Sequence, residues 1–221
     1  LDLLHRGDWQ FHWVNRGYGD FDEFLAQLRS RKRKNIRRER QRIRTAGIGF
    51  DWRAGDELDG PDIDFVHACY LNTFQNYGNY PALNRSFFAG IAGEMGKRLQ
   101  VVFARRGTEP VTMAVFLQGG GRLYGRYWGC TEDVPGLHFE TAYYQGIDFC
   151  IANGVAVFES GAQGEHKIPR GFLPTRTRSA HHVEHPLFRE AIGEHLGREK
   201  AWLDEYREQL RALDPFRQND A

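Results

Sequence analysis

The segment Gly161-Ala162-Gln163-Gly164-Glu165-His166-Lys167, with Arg170 close behind, sets an acid, an imidazole and an amine in a row after two glycines. Moving an acyl group to an amine needs a base for the amine proton and donors for the carbonyl oxyanion. Glu165 or His166 is the candidate base. Lys167 and Arg170 suit a phosphate or a carboxylate, and Gln163 joins them as a candidate substrate-binding residue. The same string also reads as a Gly-rich turn carrying solvated charges. It is not a nucleotide P-loop, because G-x-x-x-x-G-K-[ST] is not met.

Two further groups carry chemistry. In Leu123-Tyr124-Gly125-Arg126-Tyr127-Trp128, strand alternation points Arg126 and Trp128 to one face. An arginine inside a sheet is costly unless paired, so Glu140, Glu159 or an anionic ligand is the expected partner of Arg126. His138 and Glu140 open the next helix, either as capping groups facing the helix dipole or as members of a site. Arg126, His138, Glu140, Glu165, His166 and Lys167 are together expected at one edge of the sheet, where open α/β folds place ligands.

Between Arg29 and Arg44 stand ten Lys or Arg and one acid, Glu39, a local charge of +9 in a chain whose net charge is +1. Like charges in helical register repel, so a counter-anion lowers their energy. The readings are a solvated helix face, contact with the acidic remainder of the chain, or a polyanion such as RNA held through Lys34, Asn35 and Arg38. No leucine heptads follow the run, which argues against a bZIP-type DNA reader.

These groups need a frame. Gln10 to Arg16 reads as a first strand. Asp20, with Glu23 three residues on, has capping-box spacing for a basic helix over 20–46, with Phe21, Phe24, Leu25, Leu28, Ile36 and Ile43 on one stripe. Gly47 closes it, and Ile48, Phe50 and Trp52 alternate as a strand. Asp62 to Phe74 is a helix, and Asn84 caps another through Met95. The loop between them holds Tyr77, Tyr80 and Pro81, as an acceptor groove or a cover for the core.

A ladder follows: Gln100 to Arg105, Val111 to Gln118 and Arg122 to Gly129, joined by tight Gly turns. A helix from Leu137 to Ala152 then crosses to Val155–Ser160, a strand expected parallel to the third. Thr175 to Val183 is a last strand, and a charged amphipathic helix over 186–213 ends the pattern. The architecture is α/β (α+β), a mostly antiparallel central sheet with one βαβ crossover and flanking helices, read as a single domain over 1–221. The chain opens without Met and in mid-pattern, as the C-terminal part of a longer protein would.

Composition narrows the class. Mean hydropathy is −0.60, and no apolar run approaches the roughly 20 residues of a spanning helix. Cys69, Cys130 and Cys150 form no paired framework, which points to a reducing, cytoplasmic compartment and to small buried side chains. His181, His182 and His185 lack the spacing of a zinc knuckle, so no metal is expected.

Three antiparallel strands, a helix and a parallel strand is the core order of the GNAT acyltransferase fold. Four strings resemble its FemAB-like (peptidoglycan biosynthesis/recognition) branch: Arg31-Lys32-Arg33-Lys34-Asn35-Ile36-Arg37-Arg38-Glu39, Leu123 to Cys130, Leu137 to Gln145, and Gly161 to Lys167. The resemblance runs from about Trp9 to Phe216. It implies an acyl- or aminoacyl-group transferase, with aminoacyl-tRNA as donor and a peptide or nucleotide-linked amine as acceptor. The other function class is a non-catalytic module of the same shape that binds RNA through the basic helix. GNAT enzymes cradle CoA pyrophosphate on a Gly-rich loop after the third ladder strand. Here that loop is Cys130-Thr131-Glu132-Asp133-Val134-Pro135-Gly136, with one glycine, two acids and a proline. Acyl-CoA stays open as a cofactor, with its usual pyrophosphate loop absent.

Overall fold

The computed structural model describes residues 3–161 and 164–217. In chain order the elements are β1 (Leu4–Val14), α1 (Phe21–Gln27), α2 (Ser30–Thr45), β2 (Ile48–Ala54), α3 (Gly60–Asn76) and α4 (Arg85–Met95). The ladder β3 (Leu99–Arg106), β4 (Glu109–Gly119) and β5 (Arg122–Cys130) comes next. Then follow α5 (Leu137–Phe139), a π turn (Glu140–Tyr144), α6 (Gln145–Ala152), β6 (Val157–Glu159), a 3-10 turn (Glu165–Arg170), β7 (Leu173–His181) and α7 (Pro186–Ala212). The contacts divide the chain into two compact units, Val14–Gly161 and Leu1–Trp13 with Ala162–Ala221.

In the larger unit the strand order is β2-β3-β4-β5-β6. The first three pairings are antiparallel, and β6 runs parallel to β5 with Leu123 opposite Phe158. The expected α/β architecture with its βαβ crossover is present. Both faces of the ladder are covered, so β3 and β4 read as nearly continuous apolar runs rather than alternating ones. Val101, Phe103, Met113 and Val115 bury against Ile63, Val66, Cys69, Tyr70 and Phe88 of α3 and α4. On the other face Trp52 stacks on Phe149 at 4.6 Å and tilts over Phe116 at 5.2 Å. At Gly146 a Cβ would sit 2.5 Å from the Phe158 ring, so only glycine lets α6 lie this close to β6.

Local signals set most boundaries. The Asp20 carboxylate accepts from Glu23 N–H at 2.8 Å, and Asn84 accepts from Phe87 N–H at 2.9 Å. The basic helix is not continuous over 20–46, however. Leu28 is fully buried in an extended conformation, and Arg29, with ψ 143, is not helical, so the chain breaks before α2 begins at Ser30. The expected helix over Leu137–Ala152 likewise contains the π turn. Cys69 and Cys150 are buried free thiols whose pKa burial pushes up to about 12.

In the smaller unit β1 pairs antiparallel with β7, Leu4 facing His181 and Trp9 facing Arg176. The long helix α7 is tied to this ribbon by Arg6–Glu199 at 2.7 Å and by the Trp9 indole N–H donating to Leu203 O at 3.1 Å.

Candidate functional site

In the larger unit the candidate residues stand on irregularities of the backbone. The β4–β5 register slips between Val115 and Phe116: Val115 faces Tyr127, while Phe116 faces Gly125. Arg126 is therefore the bulged residue, and bulges re-aim side chains beside functional sites. This corrects the expectation of an arginine inside the sheet. Arg126 is exposed, its guanidinium 5.0 Å from the Tyr127 ring centroid. The carboxylates proposed as its partners are engaged elsewhere, Glu159 with Arg122 at 2.6 Å and Glu140 with Arg40 at 3.1 Å.

Glu140 begins the π turn, a geometry that often marks a functional segment. It does not cap the helix, because the N-cap is Gly136 and makes no side-chain bond. Instead Glu140 Oε1 accepts from Arg40 Nε at 3.2 Å and Gln145 Nε2 at 2.9 Å. Arg40 Nη2 reaches Asp148 Oδ2 at 2.5 Å, and the guanidinium lies 4.1 Å from the Phe21 ring centroid. Tyr144 OH donates to Glu39, and Trp52 Nε1 donates to Gln145 Oε1 at 3.4 Å. Burial works against the Arg40 charge, but Glu140 and Asp148 together move its pKa above the ordinary value. Burial raises both carboxyls, with Arg40 pulling against that rise. Among the described residues Glu140 Oε2, Thr141 Oγ1 and Trp128 Nε1 are buried without a hydrogen-bond partner. Half-buried His138 sits among the rings of Trp128 at 4.7 Å, Tyr143 at 5.3 Å and Phe139 at 5.4 Å.

A cleft of about 480 Å³ opens over this network, lined by Phe21, Leu25, Arg37, Arg40, Arg44 and Asp148. The opposite side of α2 differs. Arg31, Lys34, Asn35, Arg38 and Arg42 are exposed three and four residues apart on one helix face. Two shallow depressions of about 510 and 360 Å³ run along it. Among the described residues Arg31, Lys34, Arg38 and Arg42 have no carboxylate partner, whereas Arg37 meets Asp22 at 2.7 Å. Sequence reasoning missed Arg40 and Asp148. Arg40 stands four after Ile36 and three before Ile43, the inward stripe of the helix, and that spacing was the available signal.

The loop after β5 does not fit a CoA pyrophosphate. Leu137 N–H already donates to Val134 O at 3.0 Å, Pro135 has no N–H, and Glu132 is turned to Arg106 at 2.6 Å.

In the smaller unit the expected loop over Gly161–Phe172 is a 3-10 turn from Glu165 to Arg170. Gln163 lies outside the described residues. Gly164 has φ +107, and a Cβ there would collide with the His166 imidazole at 2.1 Å, so the glycine lets the ring fold back over the backbone. Lys167 is 3% exposed, and burial brings its pKa down to about 8. Partial burial, with Lys167 and Arg170 nearby, lowers the His166 pKa. Arg170 Nη1 donates to His166 O at 2.7 Å, which braces the turn. Glu165 accepts from Tyr206 OH at 2.5 Å, and burial followed by this bond moves the Tyr206 pKa to about 12. Glu165, His166, Lys167 and Arg170 thus belong to the smaller unit, while Arg126, Trp128, His138 and Glu140 belong to the larger.

A family model described as FemAB-like, peptidoglycan biosynthesis/recognition, matches residues 1–218. No curated protein matches the sequence significantly. Among solved structures, FemX is similar with a TM-score of 0.57 and 11% identity, over 82% of this chain and 63% of that one. L-PGS from Bacillus licheniformis is similar with a TM-score of 0.59 and 8% identity, over 85% of this chain and 65% of that one. At such identities the likeness is one of fold, and the chain spans under two thirds of either protein. No helix among the described residues is long and apolar enough to cross a membrane.

Proposed function

The chain belongs to the FemAB-like family, and from that premise we propose that it transfers an aminoacyl group from aminoacyl-tRNA to an amine acceptor in the cytoplasm. The observation that carries the reading is the His166–Lys167 turn. An imidazole with a lowered pKa is neutral near pH 7 and ready to take a proton. Beside it in sequence, a buried amine titrating near 8 is still mostly protonated there and can donate to an oxyanion.

In the proposed step the acceptor nitrogen attacks the ester carbonyl carbon of the donor. His166 takes the nitrogen's proton as the C–N bond forms, and Lys167 stabilises the oxyanion. The C–O bond to the ribose breaks, and the leaving oxygen receives the proton from His166. Arg170 is a positioning residue for the turn. Glu140, with its Oε1 already committed to Arg40 and Gln145, is not assigned the role of base.

The outer face of α2 supports an RNA-linked donor, because cations without internal partners release counterions when phosphates replace them. His166→Ala is expected to abolish transfer from aminoacyl-tRNA to a peptidoglycan-precursor amine with little change in Tm; full activity would overturn the role. Replacing Arg31, Lys34, Arg38 and Arg42 by Ala is expected to weaken tRNA binding at least tenfold at low salt. It should also flatten the log K against log salt slope by about 3, from roughly 0.7–0.9 per phosphate contact. The same face favours a second reading, an RNA-binding module without turnover. Wild-type binding with no transfer across precursor acceptors would select it.

A further inference from the structure

The ribbon of the smaller unit and α7 enclose a cleft of about 550 Å³, within the range of about 300–1,000 Å³ typical of small-molecule sites. Its floor is aliphatic: Leu4 and Leu196 are half-buried and Leu203 is buried. Gly193 and Gly197 face it one helical turn apart on α7. A Cβ at Gly193 would only touch Leu4 at 3.6 Å, and one at Gly197 would meet nothing within 4 Å. These glycines are therefore not demanded by close packing; they leave the space open in a helix that alanine would stabilise.

The rim carries an excess of positive charge. Arg6, Arg176, Arg178 and Lys200 line the cleft against one carboxylate, Glu199, which is bonded to Arg6. Arg176 is 3.6 Å from Asp204, and among the described residues Arg178 and Lys200 have no ion-pair partner. Lysine and arginine stems extend apolar walls while their heads stay wet. We propose that this cleft, independently of the transfer reaction, binds an organic anion with an aliphatic body, its carboxylate or phosphate head between Arg178 and Lys200 and its chain over Leu4, Leu196 and Leu203.

The test is calorimetric titration of the full chain with decanoate, decyl phosphate and decylammonium below their micellar concentrations. The anions are expected to bind at least tenfold more tightly than decylammonium. Gly197→Leu, which fills the opening, is expected to cost at least tenfold in decanoate affinity without lowering Tm. The double variant Arg178→Gln/Lys200→Gln is expected to remove the preference for anions. Co-sedimentation with phosphatidylglycerol vesicles, but not phosphatidylcholine vesicles, would assign the anion to a lipid headgroup; decanoate binding without sedimentation would assign it to a free amphiphile. Absence of decanoate and decyl phosphate binding, equal binding of decylammonium, or unchanged affinity in Gly197→Leu would overturn the proposal.

Discussion

Arg40 in the larger unit and Lys167 in the smaller one are both cations withdrawn from water, yet their proton equilibria move in opposite directions. Burial opposes the charge in each. At Arg40, Glu140 and Asp148 more than offset it, and the guanidinium is held above its ordinary pKa. At Lys167 burial wins, and the amine titrates near 8. One region uses a buried charge to tie α2 to the π turn. The other keeps a charge that is easily discharged, as a group with chemistry to perform would be.

The largest effect is expected where the Arg40 cluster is disrupted. Arg40→Met would leave buried Glu140 and half-buried Asp148 without their counter-charge, an expected loss of about 3–5 kcal/mol in urea unfolding. A loss below about 1 kcal/mol would show the pair to be dispensable to the fold.

Lys167→Met is expected to abolish transfer and to alter how stability depends on pH. The sign follows from the folded pKa of about 8 lying below the ordinary 10.5. Below the folded value both states are protonated and the burial penalty is fully present. As pH rises from about 8 to the ordinary lysine value, the unfolded chain binds more protons than the folded one, and wild-type stability increases. That rise should be missing from Lys167→Met, as chemical unfolding of both proteins at pH 7 and pH 10.5 would measure. An equal rise in Lys167→Met would show that another group titrates in that window.

The smallest effect is expected outside both clusters, at the start of α1. Asp20→Ala removes the cap of α1 and is expected to cost about 1 kcal/mol, with no change in RNA binding or transfer. A change in either function would implicate α1 in positioning α2.

Much of the frame was legible because its causes are local. The Asp20 and Asn84 caps, the Gly47 stop and the apolar runs of the ladder depend on residues within a turn or two of each other. Lys34, Asn35 and Arg38 were legible as an exposed face for the same reason. The site was less so. Arg126 read as buried because strict alternation was assumed, and one bulge between Gly125 and Tyr127 undid it. Glu140 read as a cap because it follows a loop, yet it lies buried against a guanidinium a hundred positions earlier.

By itself the sequence determined the order of strands and helices, the crossover before β6, the cationic run and the Gly-Glu-His-Lys string, since each is written in short-range periodicity and turn chemistry. Only the tertiary structure decided which of ten neighbouring cations would be neutralised and which left exposed. It also decided that the lysine of the turn would be buried deeply enough to titrate near 8. Charge compensation and desolvation are set by what surrounds a group in space, and residues far apart in the chain supply those surroundings.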